Sequence, residues 1–319
     1  MLSTHLLDIL RPVMKTRKVY PGEVHHVCQQ TVGGVLVFYS AADFLVFFSI
    51  VCTVAGRFGI RLLALCPMVD HTHLVVVAPG ETALARFVQE YTHLFSYEWN
   101  KSRGRKGPLF KHRYMSSVKL GNKQARTTIN YCNNNPVERK LVQEARDYRW
   151  NFLRYAREAH PYSPSINTAG LPAKLRDILR EAGRIREGDG HLKYCQLERW
   201  RRCLSAEQMQ YLADCLIGLW NVIDYGEAIS YYGSYEAMLR SFRDNTGSDY
   251  DIREDRHSYS DAVYGDCTRI LLKEGHIGHP REIPSLPLSL RKALADELRR
   301  RTTALPRQIA KYLHLTLDK

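Results

Sequence analysis

The 319-residue chain has no apolar run long enough to cross a membrane. Its longest uncharged apolar-rich stretch, Phe44 to Gly56, is bounded by Asp43 and Arg57 and falls short of the roughly 20 residues a span needs. It reads as a buried helix. Residues 1–18 carry scattered charge and no apolar block before a small-residue cleavage site, so no secretory signal is visible and a cytoplasmic protein with no membrane partner is expected. None of the eight cysteines forms a CxxC pair, which argues against a structural zinc site and, in the cytoplasm, against disulfides. Buried free thiols are expected. Internal repeats and low-complexity segments are missing too. With 45% hydrophobic and 25% charged residues, the chain lies outside the composition of disordered proteins and has material for two cored domains.

Acidic residues are in short supply in one place. The formal net charge is +13, and residues 1–165 hold 22 bases against 11 acids, whereas 166–319 hold 24 against 22. Between Lys101 and Val137 there are nine bases and no acid: Lys101, Arg103, Arg105, Lys106, Lys111, Arg113, Lys119, Lys123 and Arg126. Tyr97, Trp99, Phe110 and Tyr114 interleave with them. Basic groups neutralise phosphates and aromatic rings stack on unpaired bases, so this stretch points to nucleic acid, with a merely solvated basic loop as the plainer alternative.

The hydrophobic pattern gives an ordered set of elements. Val24 to Val32 and Val35 to Tyr39 read as strands around Gly33-Gly34, and Ala41 to Arg57 as a helix. Ile60 to Cys66 and Thr72 to Ala78 read as neighbouring strands, Thr82 to Asn100 as a helix, and Arg113 to Leu120 as a strand. A helix then opens at Gly121-Asn122 and is expected to end near Pro136, because the residue before a proline is pushed out of the helical region. The result is an α+β sandwich with one sheet face covered. His160 to Ser165 is the best boundary, which divides the chain into domains 1–165 and 166–319. Helices are expected beyond it at 173–181, 192–203, 206–217, 235–242, 260–273, 288–301 and 305–313, with the last two, 288–315, as a possible helix-turn-helix.

Two groups of residues have the makings of a reactive site. His71 and His73 are two apart in a strand, so both imidazoles lie on one face and can share a metal ion, although a His-x-His pair is as often part of a core. Tyr131 and Asn135 are four apart in a helix and share a face, which alone is as consistent with packing as with chemistry.

Three segments, in order, resemble the single-tyrosine HUH transposases, a family named for its histidine-hydrophobe-histidine metal motif. They are Cys66-Pro67-Met68-Val69-Asp70-His71-Thr72-His73-Leu74, Gly107-Pro108-Leu109-Phe110-Lys111-His112-Arg113-Tyr114 and Tyr131-Cys132-Asn133-Asn134-Asn135-Pro136-Val137. The second and third are similar to blocks of the REP-associated tyrosine transposase branch. Departures are Thr72 at the usual hydrophobe, Val69 at the usual proline, and Lys111-His112 where the branch has Gln-Gly. The resemblance, over residues 20–155, implies an antiparallel HUH sheet of ferredoxin-like or RRM-like type with packed helices, followed by an all-α domain. It further implies that His71, His73 and Asn135 bind Mg2+ or Mn2+ and that Tyr131 is the nucleophile. In that reading Tyr131 cleaves and rejoins single-stranded or hairpin DNA through a 5′-phosphotyrosine link, and Arg103, Arg105, Lys106, Lys111, Arg113, Lys119, Lys123 and Arg126 bind the DNA. A monomer or a homodimer is compatible with one tyrosine per chain. The alternatives are a silent protein or repressor that binds structured nucleic acid, and a metallohydrolase that uses water.

Overall fold

The computed structural model describes residues 18–164, 170–246 and 260–316. The first half is built on a four-stranded antiparallel sheet of β1 (Val24–Gln30), β2 (Arg61–Pro67), β3 (His71–Val77) and β4 (Met115–Lys119), in the order β2-β3-β1-β4. The histidine-bearing strand β3 is therefore internal, paired with β1 on one side and β2 on the other. Period-two alternation sends Leu74 and Val76 to one face and His71, His73, Val75 and Val77 to the other.

The first face packs on α1 (Ala41–Arg57) and α2 (Glu81–Ser102). Almost every residue of α1 from Asp43 to Ala55 is buried, as suits a helix that is apolar all round. Its start is fixed by Asp43, whose Oδ2 accepts from the backbone N–H of Tyr39 and Ser40. The second face is covered as well, by α3 (Gly121–Glu138), where an open face was expected from the sequence. Ala125, Ile129 and Cys132 of α3 pack on Val24, Cys66, Val75 and Val77. An amphipathic helix with a narrow apolar stripe suffices, because small side chains face it.

Two local expectations change. Val35–Tyr39 is extended but is not a strand of the sheet: the N–H groups of Val37 and Phe38 reach the carbonyl of Val69, and that of Leu36 the carbonyl of Lys311. Gly33 and Gly34, both at positive φ, make the turn into it. The helix α3 passes through Pro136 and ends at Glu138, since the proline forfeits only its own bond to the carbonyl one turn back while Arg139 N–H still reaches Asn135 O.

The rest is helical: α4 (Ala173–Glu187), α5 (Tyr194–Arg201), α6 (Ala206–Trp220), α7 (Tyr225–Ser230), α8 (Tyr235–Asp244), α9 (Val263–Lys273), α10 (Leu288–Arg301) and α11 (Pro306–Tyr312). Leu175, Trp200, Leu216 and Trp220 of α4 to α6 join the core around α1, while Met238 and Phe242 of α8 join the core under α3. Leu36 joins the core of α9 to α11. Ser165, at the expected boundary, lies outside the described residues. Of the helix-turn-helix candidates, α11 has seven residues and buries Gln308, Ile309, Ala310 and Tyr312, so its faces are largely spent on packing. Among the described residues no helix is long and apolar enough to cross a membrane, and all eight cysteines are free thiols, with Cys195 and Cys203 exposed.

Candidate active site

The pairing of β1 with β3 sets the site. Cys28 lies opposite His73 and Gln30 opposite His71, so His26, two residues before Cys28, shares the face of the two histidines. His26 Nε2 is 3.0 Å from His73 Nδ1, and the two rings stack with centroids 5.2 Å apart. His71 and His73 stand nearly perpendicular, centroids 4.8 Å apart. His71 Nδ1 is 2.6 Å from Asp70 Oδ1, and Lys311 Nζ of α11 donates to Asp70 Oδ2 at 2.8 Å. Burial alone would raise the Asp70 carboxyl, but its hydrogen bond to His71 and the charges of His71 and Lys311 overcome this and hold it well below the usual carboxylate range.

Tyr131 comes from α3, across the layer. Its ring stands nearly perpendicular to those of His73 and His26, with centroids 5.2 Å and 5.7 Å away, and it is 6% exposed. Asn135 lies one turn on, buried, and its Nδ2 donates to the carbonyl of Tyr131 at 3.3 Å. Neighbouring asparagines hold the helix in place: Asn134 Nδ2 donates to Phe242 O and Asn130 Nδ2 to Ser241 Oγ, both on α8. Cys132 Sγ lies 3.8 Å from His73 O, tying α3 to the strand beneath. The strand pair and the helix face are thus brought together.

The donor set suits a divalent metal. With Nδ1–H of His71 donating to Asp70, its lone pair lies on Nε2, and with Nδ1–H of His73 donating to His26, the same holds there; such outer partners orient metal-binding imidazoles. Among the described residues no three His, Cys, Asp or Glu side chains are arranged to hold a metal ion, so a metal on the histidine pair would need further ligands of another kind.

The basic residues divide sharply. Lys106, Lys111, Arg113, Lys123 and Arg126 are exposed and Lys119 is partly so. Arg103, however, is buried: it pairs with Asp43 Oδ1 at 2.6 Å, lies over the rings of Trp99 and Tyr194, and Tyr194 donates to the same carboxylate. Its charge is committed to the core and cannot meet a strand at the surface. Arg105 is half-buried against Trp99 and His314. Of the interleaved aromatics, Trp99 and Phe110 are buried, Tyr114 is half-buried and Tyr97 is exposed. A groove of about 1170 Å³ runs between α2 and residues 107–114, with Tyr97, His93, His112 and Arg113 on its walls.

The sequence does not single out His26, nor the contacts of Asp70 with His71 and Lys311. The His25-His26 pair in a strand was a signal, but only the register, which no single strand reveals, selects His26.

Residues 39–135 match the family model for IS200-like transposases. No protein of curated function matches the chain. Among solved structures, a REP-associated tyrosine transposase bound to a REP hairpin aligns over 51% of this chain and 96% of its own, at 13% identity and a TM-score of 0.40.

Proposed function

We propose, from the match of residues 39–135 to the family model for IS200-like transposases, that the chain is a member of that family and of its REP-associated branch, and that it cleaves and rejoins single-stranded DNA at hairpin or repeat sequences. The observation that carries the reading is the ring of Tyr131 set against that of His73 from the opposite layer, with Asn135 on the same helix face.

His71 and His73, with Asn135, would hold Mg2+ or Mn2+, which supplies Lewis-acid polarisation of the scissile phosphate. Tyr131 supplies the nucleophile. Its phenolic oxygen bonds to phosphorus, the bond from phosphorus to the 3′-oxygen of the preceding nucleotide breaks, and the phenolic proton ends on that oxygen. The products are a 5′-phosphotyrosine and a 3′-hydroxyl. Another 3′-hydroxyl reverses the step, so no external energy source is needed. His26 and Asp70 hold the two imidazoles in place, while burial of Tyr131 keeps bulk water from the ester. Lys106, Lys111, Arg113, Lys119, Lys123 and Arg126 neutralise backbone phosphates.

The test is incubation of the protein with 3′-end-labelled hairpin DNA in manganese or magnesium, followed by a denaturing gel. Label retained on wild type, and absent with Tyr131→Phe and with His71→Ala, supports the reading. Cleaved DNA free of protein and insensitive to Tyr131→Phe would instead mean attack by water, and tight binding without cleavage in either metal would mean a binding protein.

A further inference from the structure

The turn that leads into β3 is fixed from the far end of the chain. Both carboxylate oxygens of Asp70 are engaged: Oδ1 lies 2.6 Å from His71 Nδ1, and Oδ2 accepts from Lys311 Nζ at 2.8 Å. The side chains of Lys311 and Asp70 are only 12% and 14% exposed. The main chain is held as well, since the carbonyl of Asp70 accepts from the Thr31 N–H at 3.0 Å.

Lys311 is in turn held against this turn by residues 34–39. The carbonyl of Lys311 accepts from the Leu36 N–H at 3.4 Å, and that of Tyr312 from the Tyr39 hydroxyl at 2.7 Å. The same extended segment gives the Val37 N–H to Val69 O at 2.9 Å, so it binds α11 on one side and the residue before Asp70 on the other. Gly34 permits the close approach: its φ is +65°, and a Cβ there would come within 3.2 Å of Lys311 Cε. Further along, Leu313 O accepts from Arg291 of α10 at 3.0 Å. A lysine–carboxylate pair withdrawn from water adds little stability over apolar side chains of the same shape. Its place directly behind an imidazole therefore points to orientation.

We propose that Lys311 is a positioning residue for His71. By holding Asp70 Oδ2 it sets the plane of the carboxylate, so that Oδ1 faces His71 Nδ1 and Nε2 is left as the metal-binding nitrogen. The inference rests on the metal-dependent strand-cleaving reading above and extends it: α11 supports the metal site through Asp70, in addition to packing on α9 and α10.

The experiment is calorimetric titration of the full-length protein with Mn2+ in the absence of DNA. Asp70→Ala removes the partner of the imidazole and is expected to weaken binding by about 10–100-fold. Lys311→Met keeps the length of the stem and removes the ammonium, and a loss of about 10-fold is expected, at the lower end of that range. Lys311→Arg should recover most of it. In the Asp70→Ala background Lys311→Met should cause no further loss, because the lysine acts through the carboxylate. Unchanged affinity in Lys311→Met, alongside a loss in Asp70→Ala, overturns the positioning role and leaves the strand-cleaving reading standing. Equal losses from Lys311→Met with and without Asp70 also overturn it, since the lysine would then act by another route. A loss that Lys311→Arg does not recover, together with a lower urea midpoint, assigns Lys311 to the fold alone. No Mn2+ binding by wild type overturns the metal site and the positioning role together.

Discussion

His73 is fully buried, and its ring stacks on that of His26 and meets that of Tyr131 nearly at right angles. In the proposed metal site, His26 would be the outer partner that orients the His73 imidazole, and such a ligand loses affinity when its outer partner goes. His26→Ala is therefore expected to weaken Mn2+ binding by about 10–100-fold, read by calorimetry without any DNA, with partial recovery in His26→Gln; unchanged affinity would remove His26 from the site. Arg103 makes the opposite case. Charge and position placed it with the DNA-binding residues, yet it sits against Asp43 in the core. Truncation leaves a buried carboxylate uncompensated, so Arg103→Ala is expected to cost about 3–5 kcal/mol in urea unfolding, while the DNA affinity of the folded fraction stays unchanged. The chemical type of both residues was legible in the sequence. Their surroundings were not, because strand register and the approach of Tyr194 from 151 residues away decide them.

Among the elements, those with clear periodicity were read almost to the residue: α1 and α10 match their expected ranges, and β2 and β3 differ by one residue. Val35–Tyr39 was misread because its pattern is that of a strand, while its hydrogen-bond partners, Val69 and Lys311, come from a loop and from α11. The six-residue α7 is too short to show a period. The segment after α11 carries a pH-sensitive contact. His314 Nε2 donates to Leu36 O and its Nδ1 accepts from Arg105, with Trp99 and Tyr39 stacked nearby. Burial, helped by the charges of Arg105, Arg291 and Arg103 and opposed by the Leu36 carbonyl, pushes it down to about 3. A histidine depressed on folding contributes stability that is present above its unfolded value of 6.5 and is lost as pH falls toward the folded value. Below pH 6.5, stability is expected to fall by up to about 1.4 kcal/mol per pH unit from this one proton. Urea unfolding of wild type and His314→Gln at several pH values between 7 and 4 should give a shallower slope for the variant; equal slopes would mean that His314 is not the group.

At the scale of the whole molecule, net charge and local charge tell different stories. The C-terminal half is near neutral, yet it delivers Lys311 to Asp70, beside His71, across 241 residues. The α+β first half and the helical second half were legible, and so was the grouping of His71, His73 and Tyr131, whose rings the fold brings together. How the second half folds back on the first was not legible, because α11 reaches the site through contacts with Leu36 and Tyr39 that no periodicity encodes. The proposed strand cleavage requires Tyr131 as the covalent nucleophile. The most direct measurement is mass spectrometry of the protein after reaction with hairpin DNA, nuclease trimming and trypsin digestion. A phosphonucleotide on Tyr131 in the peptide from Thr127 to Arg139 is the predicted result. An adduct on any other peptide, or cleaved DNA with this peptide unmodified, would contradict it.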